Sequence, residues 1–155
     1  MRIALSSDHR GTSALRQLQE KLRREGHDAF FVGDCSGNVA CDYPERAYEV
    51  GKMVADKSAD LGILICGTGI GMSIAANKVH GVRAAVCHDE LTAQLARSHN
   101  DANVLCLSAD LLGQRLIEKI SEAWIAASFE GGRHARRIRK IAAMERGQDP
   151  ASITD

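Results

Sequence analysis

The sequence predicts an α/β protein, a single domain built on a five-stranded parallel sheet with helices on both faces. Two observations carry the class: short apolar runs of strand length alternate with stretches of helical periodicity, and the run Ile63-Leu64-Ile65 is apolar without alternation, as a strand buried on both faces must be. A third bounds the domain count. A chain of 155 residues fits one core, and no repeat, low-complexity segment or shift in composition marks a second.

Taken in order, Arg2 to Ser6 is the first apolar run. Ser7-Asp8-His9-Arg10-Gly11 then turns the chain into a helix with Leu15, Leu18 and Leu22 at helical spacing, closed by Gly26. Asp28 to Val32 is a second strand, and Gly33 to Asp42 a polar loop. Tyr43-Pro44 opens a second helix with Ala47, Val50, Met53 and Val54 on one side, proline being permitted in a first turn. Leu61 to Cys66 is the third strand, Gly71 to Lys78 its helix, and Gly81 to Cys87 the fourth strand. A helix from Asp89 to about Ser98 leads to strand five, Asn103 to Leu107. Leu111 to Ser128 is a long helix with Leu112, Leu116, Ile120, Ala123 and Trp124 inward, and a basic helix follows from Arg133 to Arg146. The domain is expected over 1–146, with 147–155 a polar tail. Strands and helices alternating at this spacing form βαβ units, hence a three-layer, Rossmann-like sandwich.

Composition excludes several functions. Lys plus Arg equal Asp plus Glu at 20 each, so no net field draws the chain to nucleic acid or an anionic membrane. Aromatic residues are too few to stack bases. The first 20 residues lack a signal-peptide pattern, no apolar run reaches membrane-spanning length, and the five cysteines show no C-x-x-C spacing. A cytoplasmic protein without a disulfide framework or a zinc site is expected.

The stretch that carries chemistry is GILICGTGIGM, residues 62–72. Gly67, Gly69 and Gly71, with Thr68 between the first two, let backbone N–H groups approach an anion where strand gives way to helix. A thiol beside such donors is favoured as its thiolate, which makes Cys66 a candidate base or nucleophile. A strand-end cysteine is more often packing, and that reading suits Cys87 and Cys106, which have no glycine loop behind them. Ligands of open parallel sheets sit beyond the carboxyl ends of the strands. That rule gathers Asp8 and His9, Cys66 to Gly71, and His88-Asp89, with His99-Asn100 less clearly placed at a helix end. Each has a plainer role, Asp8 as a helix cap and His99 as a helix C-terminal residue. In the basic run, Arg133 and Arg137 lie one turn apart beside His134, a spacing suited to phosphate.

These segments together resemble a known family. Ser7-Asp8-His9-Arg10-Gly11, Asp42-Tyr43-Pro44, ICGTGIGMSIAANK at 65–78, GVRAAVC at 81–87, ARSHNDANVL at 96–105 and EGGRH at 130–134 are similar to ribose-5-phosphate isomerase type B, grouped with the galactose-6-phosphate isomerase subunits. The resemblance implies an aldose–ketose isomerase that needs no metal or other cofactor and works through a cis-enediolate. It makes Cys66 the proton-transfer base and gives Gly67, Gly69, Ile70 and Gly71, with Thr68, the oxyanion. His99 would open the sugar ring, Asp8 and Tyr43 would assist there, and Asn100 would contact the sugar. His9, Arg133, His134 and Arg137 would hold the phosphate. It further implies homodimers, sometimes paired into tetramers, with the C-terminal helix in the interface and each site shared by two subunits. Where members commonly carry a phosphate-binding arginine past strand five, this chain has Asp110, which is expected to turn away from the phosphate.

Two alternatives differ in substrate or class. One keeps the fold and changes the sugar to a hexose or tetrose phosphate, or an unphosphorylated sugar. The other is a nucleotide-binding module, since the three loop glycines precede Asp89 by about twenty residues. Against it, Met72 stands where the last fingerprint glycine belongs, the loop follows strand three instead of strand one, and no P-loop motif occurs.

Overall fold

A computed structural model describes residues 1–33 and 41–154. Its elements are β1 (Arg2–Ser7), α1 (Thr12–Arg24), β2 (Asp28–Phe31), α2 (Tyr43–Ala55), β3 (Leu61–Cys66), α3 (Ile70–Ala76), β4 (Ala84–Val86), α4 (Glu90–Asn100), β5 (Val104–Ser108), α5 (Gln114–Ala126) and α6 (Arg133–Glu145), with a short 3₁₀ turn at Pro150–Ser152. The strands form one parallel sheet in the order β2-β1-β3-β5-β4.

The period of two along each strand divides the core. Ile3, Leu5, Ile63, Ile65, Leu105 and Leu107 face α1 and α5, where Leu18, Leu22, Ile117, Ile120 and Trp124 cover them. Ala4, Leu64, Cys66, Val104 and Cys106 face the other way, onto Ala47, Val50 and Val54 of α2 and Met72 and Ala76 of α3. With both faces covered the sandwich has three layers, as expected, and β3 is buried along its whole length.

Three boundaries differ from expectation. Strand β4 is three residues long instead of seven, because Gly81 takes a left-handed turn and the Arg83 N–H is taken by the Asn103 side chain instead of a ladder partner. Helix α5 begins at Gln114 because residues 109–112 form a turn, held where Ser108 Oγ accepts from Leu111 N–H, and Gly113 is extended. Helix α3 stops at Ala76, where the Asn77 side chain donates to Ser73 O and Ala84 O. Residues 147–154 do not trail free: Ala151 and Ile153 line a cavity with Arg136, Arg137 and Lys140 of α6. Cys35 lies outside the described residues. Cys41 is disulfide-bonded, whereas Cys66, Cys87 and Cys106 are free.

Candidate active site

Strand order sets the location. From β1 the chain moves outward to β2, and from β2 it crosses back to β3 on the far side of β1, so the loops after β1 and β3 flank the switch in strand order where open sheets bind ligands. Asp8 to Gly11 and Cys66 to Gly71 are those loops. They touch: Asp8 N–H donates to Ile65 O at 3.2 Å.

Cys66 ends β3 almost fully buried, and its Sγ accepts the N–H of Gly69 at 3.1 Å. Gly69 can present that N–H because its φ is +77°, a left-handed conformation that glycine adopts without a Cβ penalty. Thr68 Oγ1 accepts Ile70 N–H at 3.3 Å, which leaves the Thr68 hydroxyl proton free to be donated outward. Gly71 lies under the ring of Tyr43, and a Cβ there would come within 2.6 Å of Tyr43 Cζ. The other free thiols are silenced by burial, which pushes Cys87 up to about 11 and raises Cys106 well above the ordinary thiol range. Among Cys66, Cys87 and Cys106, Cys66 is the one whose sulfur accepts a hydrogen bond from the glycine loop's backbone.

Asp8 takes the plainer role first. Its Oδ1 accepts the N–H groups of Arg10 at 2.9 Å and Gly11 at 3.1 Å, closing the turn into α1. Asp89 likewise caps α4, accepting Thr92 N–H at 2.7 Å. His9 is exposed in the same β1–α1 loop.

The remaining predicted residues lie elsewhere, which corrects the expectation of one converging rim. Helix α4 runs back across the sheet, so His99 and Asn100 end near the starts of β4 and β5, where Asn100 O accepts from Arg83 Nε at 3.1 Å. Four residues of strand separate that level from Cys66, about 13 Å. Around His99 a second cluster forms. His134 stacks on it with ring centroids 4.2 Å apart and planes 11° from parallel, and Glu130 Oε2 stands 3.8 Å from Nε2 of each imidazole. Burial, with the neighbouring His99 and Arg133, lowers the His134 pKa below the ordinary imidazole value. Arg133 and Arg137 stand one turn apart on α6, both exposed. His99, Glu130 and His134 offer ligand atoms within 4.8 Å of one another, a donor set that could also hold a divalent cation.

Sequence reasoning passed over two features of these clusters. Glu130 is the first: it lies before α6, and the left-handed turn at Gly131-Gly132 folds it back toward His134. Arg10 is the other: it joins Asp110 through Nε to Oδ1 at 3.2 Å and Nη2 to Oδ2 at 2.6 Å, so Asp110 is spoken for by a cation of its own chain. No helix among the described residues is long and apolar enough to cross a membrane.

Comparison with known proteins gives the family. A family model described as Ribose/Galactose Isomerase matches residues 3–141. Ribose-5-phosphate isomerase B of Escherichia coli is 43% identical over 144 residues, covering 93% of this chain and 96% of the relative. D-erythrulose-4-phosphate isomerase of Pectobacterium atrosepticum is 48% identical over 146 residues, covering 92% and 94%. A crystal structure of ribose-5-phosphate isomerase B from Mycoplasma genitalium with bound ribulose-5-phosphate superposes with a TM-score of 0.90 at 44% identity, covering 94% of this chain and 96% of that one. The glycine loop at the switch point and these full-length likenesses have one conclusion: the chain belongs to the ribose/galactose isomerase family and is an aldose–ketose isomerase.

Proposed function

We propose that this protein interconverts ribose 5-phosphate and ribulose 5-phosphate through a cis-enediolate, with Cys66 as the base. The observation that supports the reading is the Gly69 N–H to Cys66 Sγ contact inside the glycine loop, which sets the sulfur beside a fixed backbone donor. The Cys66 thiolate takes the proton from C2 of the open-chain aldose and returns it to C1, while the O2 hydroxyl proton passes to O1 through the enediol. Charge that develops on O1 is met by the Thr68 hydroxyl and by loop amides. Gly69 and Ile70 N–H are engaged within the loop, so Gly67 and Gly71 carry more of that work than an even share. Tyr43, packed on Gly71, closes the sugar's side of the cleft. The bound ribulose-5-phosphate of the Mycoplasma genitalium relative supports the substrate class.

The second cluster enters this reading from a second copy of the chain. His99 opens the ring, Asn100 contacts the sugar, and Arg133, His134 and Arg137 hold the phosphate together with His9 of the first copy. Two features support a shared site. His99 and Cys66 of one chain stand at opposite rims, and beside Asn100 runs an apolar groove lined by Ala84, Ala85, Ala96, Ile141 and Met144. A homodimer with two such sites is the simplest assembly. A tetrose phosphate is the alternative substrate, favoured by the 48% identity to the D-erythrulose-4-phosphate isomerase.

The test is conversion of ribose 5-phosphate to its ketose in excess EDTA. Turnover unchanged by the chelator supports the thiol mechanism. Turnover abolished by EDTA and restored by a divalent cation would move the chemistry to the His99–Glu130–His134 donors.

A further inference from the structure

The mechanism above asks the glycine loop for backbone donors, and the end of β5 decides where two of them face. Along a strand, successive carbonyls alternate sides. As far as Cys66 the chain obeys: Ile65 O accepts Asp8 N–H at 3.2 Å on the β1 side, and Cys66 O accepts Ala109 N–H at 2.9 Å on the β5 side. Gly67 breaks the alternation. Its carbonyl also faces β5, where it accepts Ser108 Oγ at 2.6 Å and Asp110 N–H at 3.0 Å. Ser108 is fully buried, and its oxygen accepts Leu111 N–H at 3.0 Å, so the hydroxyl is held from both sides.

A trans peptide points its N–H opposite to its C=O. With Cys66 O and Gly67 O both on the β5 side, the N–H groups of Gly67 and Thr68 both face the β1 side, into the crevice between the β1 and β3 loops. No acceptor among the described residues takes either of them. Two successive amides turned to one side make a concave anion site, and this one adjoins Cys66. Resting on the isomerase reading, we propose that Ser108 is a positioning residue: its hydroxyl holds the Gly67 carbonyl toward β5 and so aims the Thr68 N–H, beside that of Gly67, at the oxygen that gains charge in the enediolate. Ser108 acts through the Gly67–Thr68 peptide and not on the substrate.

The experiment compares Ser108→Ala and Ser108→Cys with the wild type in ribose 5-phosphate kinetics and in binding of the hydroxamate of 4-phosphoerythronic acid, a planar anion shaped like the enediolate. Asp110 N–H still reaches Gly67 O in both variants, so the peptide is loosened and not released. Ser108→Ala should lower kcat by about tenfold with KM unchanged, part of the roughly 10²–10³ that a whole oxyanion donor is worth, and weaken the hydroxamate by the same factor. Ser108→Cys, close in size but a weaker donor, should fall between the two, and it carries the test if the alanine variant does not fold. Inhibition by inorganic phosphate, which does not read the enediolate oxygen, should stay as in the wild type. A merely structural role would lower the melting temperature without separating the two ligands. A kcat within about twofold of wild type in Ser108→Ala, a loss confined to KM, or equal weakening of hydroxamate and phosphate overturns the positioning role and leaves the isomerase standing. A wild type inactive on ribose 5-phosphate overturns the isomerase reading, and the positioning role with it.

Discussion

Replacing Cys66 by alanine separates chemistry from packing, because the structure sets both magnitudes. The side chain is 4% exposed in the core cluster with Leu64, Met72 and Cys106. Truncating it removes roughly one methylene's worth of burial, about 1 kcal/mol. It also leaves the Gly69 N–H without its acceptor, about 1 kcal/mol more where water cannot replace the sulfur. A loss near 2 kcal/mol from a reserve of about 5–15 leaves the protein folded, with a melting temperature lower by roughly 4–8 °C. Loss of a positioned base lowers kcat by about 10²–10⁴. Ketose formation and thermal melting measured on the same preparations give the two numbers. Cys87→Ala and Cys106→Ala are the controls, since burial keeps both thiols protonated and their loss should cost stability without comparable loss of turnover. A folded Cys66→Ala variant that keeps more than a few per cent of activity would remove the thiol from the mechanism.

Two further outcomes test the arrangement around His99. Cys66→Ala and His99→Ala, each inactive alone, should recover about a quarter of wild-type activity after mixing and subunit exchange, because half of randomly formed dimers then carry one intact site of two; no recovery despite demonstrated exchange argues against a shared site. The His134 shift predicts a pH dependence. Its folded pKa is depressed, so the stability linked to its neutral form is present above the unfolded imidazole range, about 6.5, and is lost as pH falls through the folded value. Melting temperature should therefore decline on acidification, and His134→Gln should flatten the decline; an equal slope in both proteins would assign it to other groups.

The fold was legible because its signals are local and mutually consistent. Leu61 to Cys66 has no polar interruption, and the helices announce themselves by leucine and isoleucine spacing. What was not legible depends on partners distant in sequence. Strand β4 is short because Asn103, twenty residues later, takes an N–H that the strand pattern assigned to the ladder. Arg10 and Asp110 are a hundred residues apart, and only the strand order brings them together over Gly67. Asp8 could be read from SDHRG as a cap or as a sugar ligand, and the pattern fits both; the structure shows that one carboxylate oxygen closes the turn. The glycine loop was legible because its chemistry is carried by consecutive residues.

Topology also explains why no single chain brings His99 to Cys66. A crossover helix must run antiparallel to the strand it follows, so whatever closes its last turn is delivered to the amino-terminal rim. His99 closes α4, Arg83 and Asn103 mark that rim, and His134 docks there by stacking on His99. Rotamer changes cannot span about 13 Å of strand, so the proposed ring-opening role of His99 requires another copy's Cys66. The surface beside it suits that demand: Ile141 and Met144 of α6 are 41% and 60% exposed next to Asn100, apolar area that a second copy would bury. On the proposed reading, one contact would cover the apolar groove, bring Arg133, His134 and Arg137 to the thiol, and so couple assembly to activity. Dilution below the dimer dissociation constant should accordingly abolish turnover while leaving each chain folded.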